Sequence, residues 1–267
     1  MAKGSGGAGH GQGLLATLGV LLALLVLWEI AVRVLAPPPI ILPAPSAIAI
    51  ELAAAPRYFL RHAGFTLWTT LAGFVLSVVL GVALAVAIVA SRWADRVITT
   101  VLVVLNSLPK VALAPLFVIW MGTGAEPKIA IAVMLAIFSI VADVALGLRS
   151  VDPDAIALAR VHQATAWRIL WKIRFPNALP ALFVGMKVAI SFALVGAIVG
   201  EFVGGSAGLG YVILVAQGQF DTSRVFAALV VLGMIGTLLF YAVEAAERLA
   251  LPWHVSQRSQ NSGPVSR

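Results

Sequence analysis

The sequence predicts an all-α polytopic membrane protein with six transmembrane helices, and three observations support this fold class. Of its 267 residues, 61% are hydrophobic and only 11% are charged, and the mean hydropathy is +1.03. Soluble domains have a far more even balance. Apolar stretches of about 20 residues, long enough to cross a hydrocarbon core of roughly 30 Å, recur along the chain. Lys and Arg concentrate in the polar stretches between them.

Six apolar stretches qualify as spans. Their bounds are 14–34, 66–90, 97–121, 129–148, 180–203 and 225–243. The first ends with Glu29 and Arg33, which are spaced to form an i,i+4 ion pair. The third is interrupted at Pro109, where a kink is expected. Between the first two spans, the proline-rich stretch 37–46 is stiff, and Ser46 is expected to cap a short interfacial helix.

The distribution of positive charge predicts the orientation. Eleven Lys and Arg residues fall on the side of the N-terminus, and four fall on the other side: Arg57, Arg61, Lys128 and Arg224. Cytoplasmic loops carry the excess of Lys and Arg, so both termini are expected in the cytoplasm. We expect a disordered glycine-rich tail at 1–13, one transmembrane domain at 14–250 and a cytoplasmic tail at 251–267. The first span is too long for a cleaved signal peptide and lacks a cleavage site.

Two spans carry small residues at every fourth position. The stripes are Gly73, Ser77, Gly81 and Ala85 in the second span, and Gly185, Ala189, Ala193 and Ala197 in the fifth. Small residues allow helix backbones to approach closely inside a membrane. Both stripes therefore predict helix packing within the bundle.

The polar segment between the fourth and fifth spans, residues 151–180, carries Arg160, Arg168, Lys172 and Arg174. Asp152 followed by Pro153 predicts a helix start, and that helix should run to about His162. Thr165 should cap a second short helix that ends before Pro176. The pair could rest on anionic lipid headgroups as an amphipathic element, or it could fit a groove on a soluble partner.

This segment resembles the cytoplasmic EAA loop of the permease subunits of bacterial ATP-binding cassette (ABC) importers. Ala157-Leu158-Ala159 occupies the Glu-Ala-Ala part, Gln163-Ala164 the glycine position, and Ile173 to Pro176 the apolar-x-apolar-Pro end. Ala157 stands where the family often has Glu, and Gln163 where it usually has Gly. The stretches LPAPSAI, NSLPKVALAPLFVIWMGTG, DPD and GEFVGGSAGLGYVI resemble the nitrate/sulfonate/taurine-type permeases.

The resemblance implies the MetI-like fold of type I ABC importer permeases and a location in the cytoplasmic membrane. It also implies a permease homodimer, two copies of a separate ATPase subunit and an extracytoplasmic solute-binding protein that docks near 204–210. The ATPase-coupling residues would be Asp152, Asp154, Ala159, Arg160, Gln163, Ala164, Trp167, Arg168 and Pro176. ATP and Mg²⁺ would bind to the partner subunit.

The chain itself carries no signature of catalysis or cofactor binding. It has no G-x-x-x-x-G-K-[ST] phosphate loop, and its N-terminal GSGGAG neither follows a strand nor opens a βαβ unit. Its four histidines are far apart in the sequence and there is no cysteine, so no metal site is expected. The basic pI reflects loop charges rather than nucleic-acid binding. We therefore expect a non-enzymatic subunit that binds no cofactor.

Polar residues inside the spans are candidates for the translocation path, because a charge facing lipid at mid-membrane costs about 2.5–3.5 kcal/mol. The candidates are Asn106, Ser107, Lys110, Asp143, Lys187, Ser191 and Glu201. Lys110 either lines the path, where it would suit an anion, or pairs locally. Asp143 and Lys187 lie at similar depths and are expected to form an ion pair, with either a functional or a structural role.

The expected function is a permease subunit of an ABC importer for a small organic or inorganic anion, such as a sulfonate, nitrate or taurine. A pyrimidine or vitamin precursor, or an aromatic acid, is the alternative substrate. An ion-coupled secondary transporter or channel is the alternative class, but those proteins often show inverted repeats and broken helices in both halves. Only one interrupted span is visible here, and no internal repeat.

Overall fold

The computed structural model describes residues 8–38 and 40–252, and these residues form helices, turns and loops but no strand. Most of the two predicted terminal tails, 1–7 and 253–267, lies outside the described residues. Ten helices follow one another in the described part: α1 Ala8–Leu35, α2 Pro45–Ala54, α3 Pro56–Ala90, α4 Arg92–Ser107, α5 Ala114–Met121, α6 Glu126–Arg149, α7 Pro153–Val161, α8 Ala166–Gly204, α9 Leu209–Gly218 and α10 Thr222–Ala250.

The predicted all-α membrane fold is confirmed. Among the described residues, α3, α6, α8 and α10 are long and apolar enough to cross a membrane, and α4 with the following helical residues to Met121 makes a bent fifth. Helix α1 covers the predicted first span, so the structure is consistent with six. Most helices extend beyond the predicted bounds, because polar residues at their ends continue the helix into the interface.

The third span is broken rather than kinked. Helix α4 ends at Ser107, a 3₁₀ turn covers Lys110–Leu113, and the two halves meet at 87°. Leu108 is extended, with φ −76° and ψ 143°, as the residue before a proline prefers. The ring of Pro109 then prevents α4 from continuing. The sequence located the break correctly and understated its size.

The second short helix of the polar segment does not end before Pro176 as expected. It continues without interruption into the fifth span as α8, with a π-helical turn at Leu170–Arg174 in which the Phe175 N–H donates to the Leu170 carbonyl. Pro176 follows this turn at the second position of the regular helix. A wider turn accommodates a residue that cannot donate, so proline here does not terminate the helix.

The helices fall into two compact units. Residues up to 60 together with 212–230 form the first, and 61–211 together with the residues from 231 onward form the second. In the first unit, Glu29 binds Arg33 at 2.7 Å, which confirms the predicted pair. Ser46 does not cap α2, which begins at Pro45. Its N–H and hydroxyl instead donate to the Glu29 carboxylate, at 3.0 and 2.8 Å.

The core of the second unit is built around α6. Both small-residue stripes pack against this helix: Gly73 lies against Ala132, Gly81 against Ile140, and Gly185 against Asp143. The predicted packing role of the stripes is therefore confirmed. The buried residues of the stripes have almost no side chain, so both helices pack closely against α6.

Helices α6 and α8 approach closely at Gly196, and we expect Gly196→Ala to destabilise the protein. A β-carbon there would lie 2.5 Å from the Ala132 Cα, which is backbone and cannot rotate away. The helices must separate, and we expect a loss of about 1–3 kcal/mol. The matched control is Gly233→Ala in α10, where a β-carbon meets nothing within 4 Å. Thermal unfolding of the purified chain should show a lower midpoint for Gly196→Ala only, and equal midpoints would contradict the packing.

Candidate functional site

The break in the third span opens a cavity of about 690 Å³ between the break, α6 and α8. Its walls combine polar and apolar groups: Asn106, Leu108, Pro109, Lys110, Val111, Leu135, Phe138, Ser139, Ala142, Asp143, Val188 and Phe192. Three predicted path residues therefore share one cavity. Because the cavity contains both a cation and a carboxylate, it can bind a polar solute through hydrogen bonds of either sense.

Lys110 is held at the break by two contacts. Its Nζ donates to the Asn106 Oδ1 at 2.7 Å, one turn earlier in α4, and lies 5.9 Å from the centre of the Phe138 ring. The bent backbone makes both contacts reachable, since the 3₁₀ turn carries Lys110 back towards the end of α4 and over α6. Lys110 thus both pairs locally and lines the cavity, so the two expectations for it were not exclusive.

Four predicted path residues lie outside the cavity wall, and two of them are serines. The Ser107 hydroxyl donates to the Val103 carbonyl at 2.9 Å, and the Ser191 hydroxyl to the Lys187 carbonyl at 3.4 Å. Conversely, the aromatic wall residues Phe138 and Phe192 were not predicted, because an apolar residue in a span gives no signal of its own. Ser139, four residues before Asp143, could have been found as a polar residue on the same helix face.

The expected ion pair between Asp143 and Lys187 is wrong. The Lys187 Nζ pairs with Glu247 of α10 at 2.5 Å, with both side chains largely removed from solvent. Asp143 instead faces the cavity and lies against Gly185. The predicted sixth span ends at 243, so Glu247 was not a candidate partner. The helix in fact continues to Ala250 and brings Glu247 within reach of Lys187. The pair joins α8 to α10.

Glu201 is fully buried in a hydrogen-bonded cluster rather than on the cavity wall. Its carboxylate accepts the Thr66 hydroxyl at 2.8 Å and the Gly210 N–H at 2.7 Å. The Thr66 hydroxyl also accepts the Leu209 N–H at 2.8 Å, and His62 Nδ1 accepts the Gly208 N–H at 3.0 Å. Three successive N–H groups at the start of α9 are thus satisfied by α3 and α8 side chains. The glycine-rich stretch is a pinned connection rather than a free loop.

Lys128 is buried, although its position in the sequence predicts an exposed cation of an outer loop. It has no exposed surface, and its Nζ donates to the Thr123 carbonyl at 2.6 Å and the Gly204 carbonyl at 2.9 Å. Gly204 is the last residue of α8, where carbonyls lack helical partners and the helix dipole favours a cation. Lys128 therefore fixes the end of α8 against the start of α6. Its position directly after Glu126-Pro127, a helix start, was the available signal.

The polar segment carries both predicted caps. The Asp152 carboxylate accepts the Asp154 N–H at 2.8 Å, and the Thr165 hydroxyl accepts the Arg168 N–H at 3.3 Å. Exposed side chains cover this surface, including Asp154, Trp167 and Arg168. The Trp167 and Trp171 rings pack edge to face at 5.5 Å, and they form one face of the helix as the spacing predicted.

Gln163 ends α7 in a left-handed conformation, with φ +57°. Its N–H donates to the Arg160 carbonyl at 2.9 Å and the Ala164 N–H to the Ala159 carbonyl at 3.0 Å, which together form a Schellman cap. Glycine adopts this conformation without a β-carbon penalty. The backbone at Gln163 therefore adopts the conformation that favours glycine, which is the residue that the EAA-loop family usually has at this position.

Residues 77–250 match the family described as binding-protein-dependent transport system inner membrane component. The matched range contains the broken span, the cavity and the polar segment. The chain belongs to this family. It is a non-catalytic permease component of an ABC transport system.

Several named proteins that are similar to this chain are permeases, and the similarity covers most of both chains. The formylaminopyrimidine transport permease protein ThiX of Halalkalibacterium halodurans is 34% identical over 88% of this chain and 94% of its own. The riboflavin transport system permease protein RibX of Chloroflexus aurantiacus is 34% identical over 88% and 89%. The taurine transport system permease protein TauC of Escherichia coli is 28% identical over 89% of each chain.

Solved structures show the same fold. Two crystal forms of inward-facing conformations of the MetNI methionine ABC transporter superimpose with TM-scores of 0.57 and 0.58, at 23% identity. Each match covers 72% of this chain and 94% of the other. The expected MetI-like permease fold is thereby confirmed.

We expect Gly208→Ala to be far more damaging than Gly122→Ala. Both glycines have positive φ, +103° and +82°, so either substitution strains the backbone by about 1–3 kcal/mol. At Gly208 the added β-carbon also overlaps the Glu201 carboxylate, whereas at Gly122 it meets nothing within 4 Å. Displacing the buried carboxylate from its donors should add at least about 2 kcal/mol. Thermal unfolding of the two purified variants measures the difference, and equal losses would rule out the pinned connection.

Replacing Gln163 by glycine should stabilise the chain. Removing the β-carbon at a left-handed position relieves about 1 kcal/mol of strain, which corresponds to a rise of about 2 °C in the unfolding midpoint. Gln163→Ala is the control, since it removes the side chain's polar part but keeps the β-carbon. It should unfold near the wild-type temperature, and a control as stable as Gln163→Gly would assign the effect to the glutamine amide.

Proposed function

We propose that this chain forms the transmembrane pathway of an ABC importer in the cytoplasmic membrane, with both termini cytoplasmic. Two copies of the chain, two ATPase subunits and an extracytoplasmic binding protein would complete the transporter, and ATP with Mg²⁺ would bind to the ATPase. Membership of a binding-protein-dependent family supports these partners. The excess of Lys and Arg on the side of the polar segment supports the orientation.

The exposed polar segment is the proposed contact with the ATPase. Its contact residues are Asp152, Asp154, Ala159, Arg160, Gln163, Ala164, Trp167, Arg168 and Pro176. The continuity of α8 from Ala166 to Gly204 supports this role, because Trp167 and the fifth span belong to one unbroken helix. The ATPase would thus move α8 directly, and α8 carries part of the cavity wall through Val188 and Phe192.

The path would run through the cavity at the broken span, and its lining carries our proposal for the substrate class. Lys110 and Asn106 offer donors, Asp143 offers acceptors, and Phe138 and Phe192 offer aromatic faces. A flat, polar heterocycle of the pyrimidine or vitamin-precursor class matches this combination, since rings stack on aromatic side chains while ring nitrogens and amines form hydrogen bonds. Two relatives at 34% identity are named for a formylaminopyrimidine and for riboflavin.

The anion expected from the sequence is the second candidate. Lys110 favours it, and relatives at 28% identity are named for taurine and, putatively, for aliphatic sulfonates. That expectation rested on the resemblance to nitrate/sulfonate/taurine-type permeases and on Lys110 as a single cation in the path. Asp143 in the same cavity offsets this charge and would repel a simple anion. Taurine carries the sulfonate group of this candidate class, so it is the discriminating competitor.

Uptake of labelled formylaminopyrimidine is the test. The complete transporter, with its ATPase and binding protein, is reconstituted in liposomes with ATP on the ATPase side. We expect uptake that unlabelled formylaminopyrimidine blocks and that excess taurine leaves unchanged. Lys110→Met and Asp143→Asn should each lower uptake about tenfold, as expected for the loss of one charged hydrogen bond. ATPase binding should be retained in both variants.

Arg92→Gln is the control, because it removes an exposed positive charge at the start of α4, far along the helix from the cavity. It should transport as well as the wild type. Uptake blocked by taurine would favour the anion candidate. Unchanged rate and affinity in both cavity variants would remove the path assignment, whatever the substrate.

A further inference from the structure

A second cavity, of about 420 Å³, lies between the end of α3 and the polar segment. The lining is apolar except for two arginines: Val86, Val89, Ala90, Ile156, Arg160, Ala164, Ala166, Trp167, Ile169, Leu170 and Arg174. Ile169 is buried, whereas Arg160 and Trp167 are exposed. The cavity is thus apolar at depth and basic at its mouth, and none of these lining residues is acidic.

Arg174 contributes an unsatisfied donor. Its Nε is buried and has no hydrogen-bond partner. Within residues 19–38 and 40–252, neither Arg160 nor Arg174 takes part in an ion pair, although Arg149, Arg224 and Arg248 all do. A buried donor on a charged group is costly without an acceptor. The acceptor is therefore expected from a molecule other than this chain.

We propose that this cavity binds one anionic phospholipid of the cytoplasmic leaflet. Its phosphate would accept hydrogen bonds from Arg160 and Arg174, because the guanidinium group matches phosphate oxygens in shape and charge. An acyl chain would lie along Val86 and Val89 at the end of the second span. Basic pockets between helices on the cytoplasmic side are suited to such headgroups.

The apolar lining favours a lipid over a free phosphate or a nucleotide. A small anion would satisfy the arginines but leave the Val, Ile and Leu surfaces in contact with water. An amphiphile covers both kinds of surface at once. The bound lipid would also touch α3, α7 and α8 together, so its presence would steady the polar segment against the second span.

Native mass spectrometry of the delipidated full-length chain tests the proposal. The probes are phosphatidylglycerol, phosphatidylcholine of the same acyl chains, and inorganic phosphate. We expect one phosphatidylglycerol to be retained at least about tenfold more tightly than phosphatidylcholine, because the arginines bind both charge and shape. Arg160→Gln with Arg174→Gln should abolish this preference. Val89→Phe, which fills the apolar part without changing charge, should weaken both lipids.

Arg168→Gln with Lys172→Gln is the matched control. It also removes two positive charges from the polar segment, but neither residue lines the cavity. It should keep the preference within about twofold of the wild type. The circular dichroism spectrum checks that each variant keeps its fold. Arg160→Lys with Arg174→Lys keeps the charge but not the guanidinium shape, so it should retain part of the preference.

Three results would overturn the proposal. Equal losses in the cavity and control variants would mean diffuse attraction to the basic segment. Competition by millimolar inorganic phosphate would mean that the ligand is a soluble anion. Lipid retention unchanged in Arg160→Gln with Arg174→Gln would mean that these arginines do not hold the headgroup.

Discussion

The close contact between α6 and α8 is the interaction on which the rest of the second unit depends. It extends along both helices, from Lys128 against Gly200 to Gly147 against Ala178. Without a hydrophobic force between helices in lipid, such contacts rely on close backbone approach and on satisfied polar groups. Gly196 supplies the first, and the Lys128 bonds to the Thr123 and Gly204 carbonyls supply the second. The cavity, the pinned start of α9 and the polar segment all take their positions from this pair.

Charges inside the spans serve different purposes according to depth and neighbours. Lys128 and Glu201 lie near one end of the bundle, and each is buried with two hydrogen bonds. Lys187 joins α8 to α10 through Glu247. Lys110 and Asp143 remain at a cavity large enough for a small molecule. Buried charges that are hydrogen-bonded within the protein fix its structure, whereas charges kept at a cavity are available to a solute. This division supports the proposed path.

Local sequence rules succeeded where the partner lies within a few residues. The caps at Asp152 and Thr165 and the Glu29–Arg33 pair all formed as predicted. The same rules failed where a distant partner competed. Ser46 binds Glu29 rather than capping its helix, and Lys187 binds Glu247 rather than Asp143. Pro176 does not end its helix, because the wider π turn before it accommodates a residue without an N–H donor. Ser46 thus shows a local rule overridden by a distant partner, and Pro176 shows one overridden by the neighbouring backbone, whereas the partner of Lys187 was a long-range prediction from the start.

The sequence by itself determined the membrane class, the number of apolar stretches, the break at Pro109 and the family resemblance of the polar segment. These follow from composition and from preferences that act over a few residues, and lipid enforces them because unsatisfied backbone groups are costly there. Only the tertiary structure decided which distant charges pair, that Phe138 and Phe192 face the same cavity as Asp143, and that the Arg174 Nε lacks an acceptor. Those facts depend on the rotation and depth of one helix against another, and packing of the whole bundle sets both.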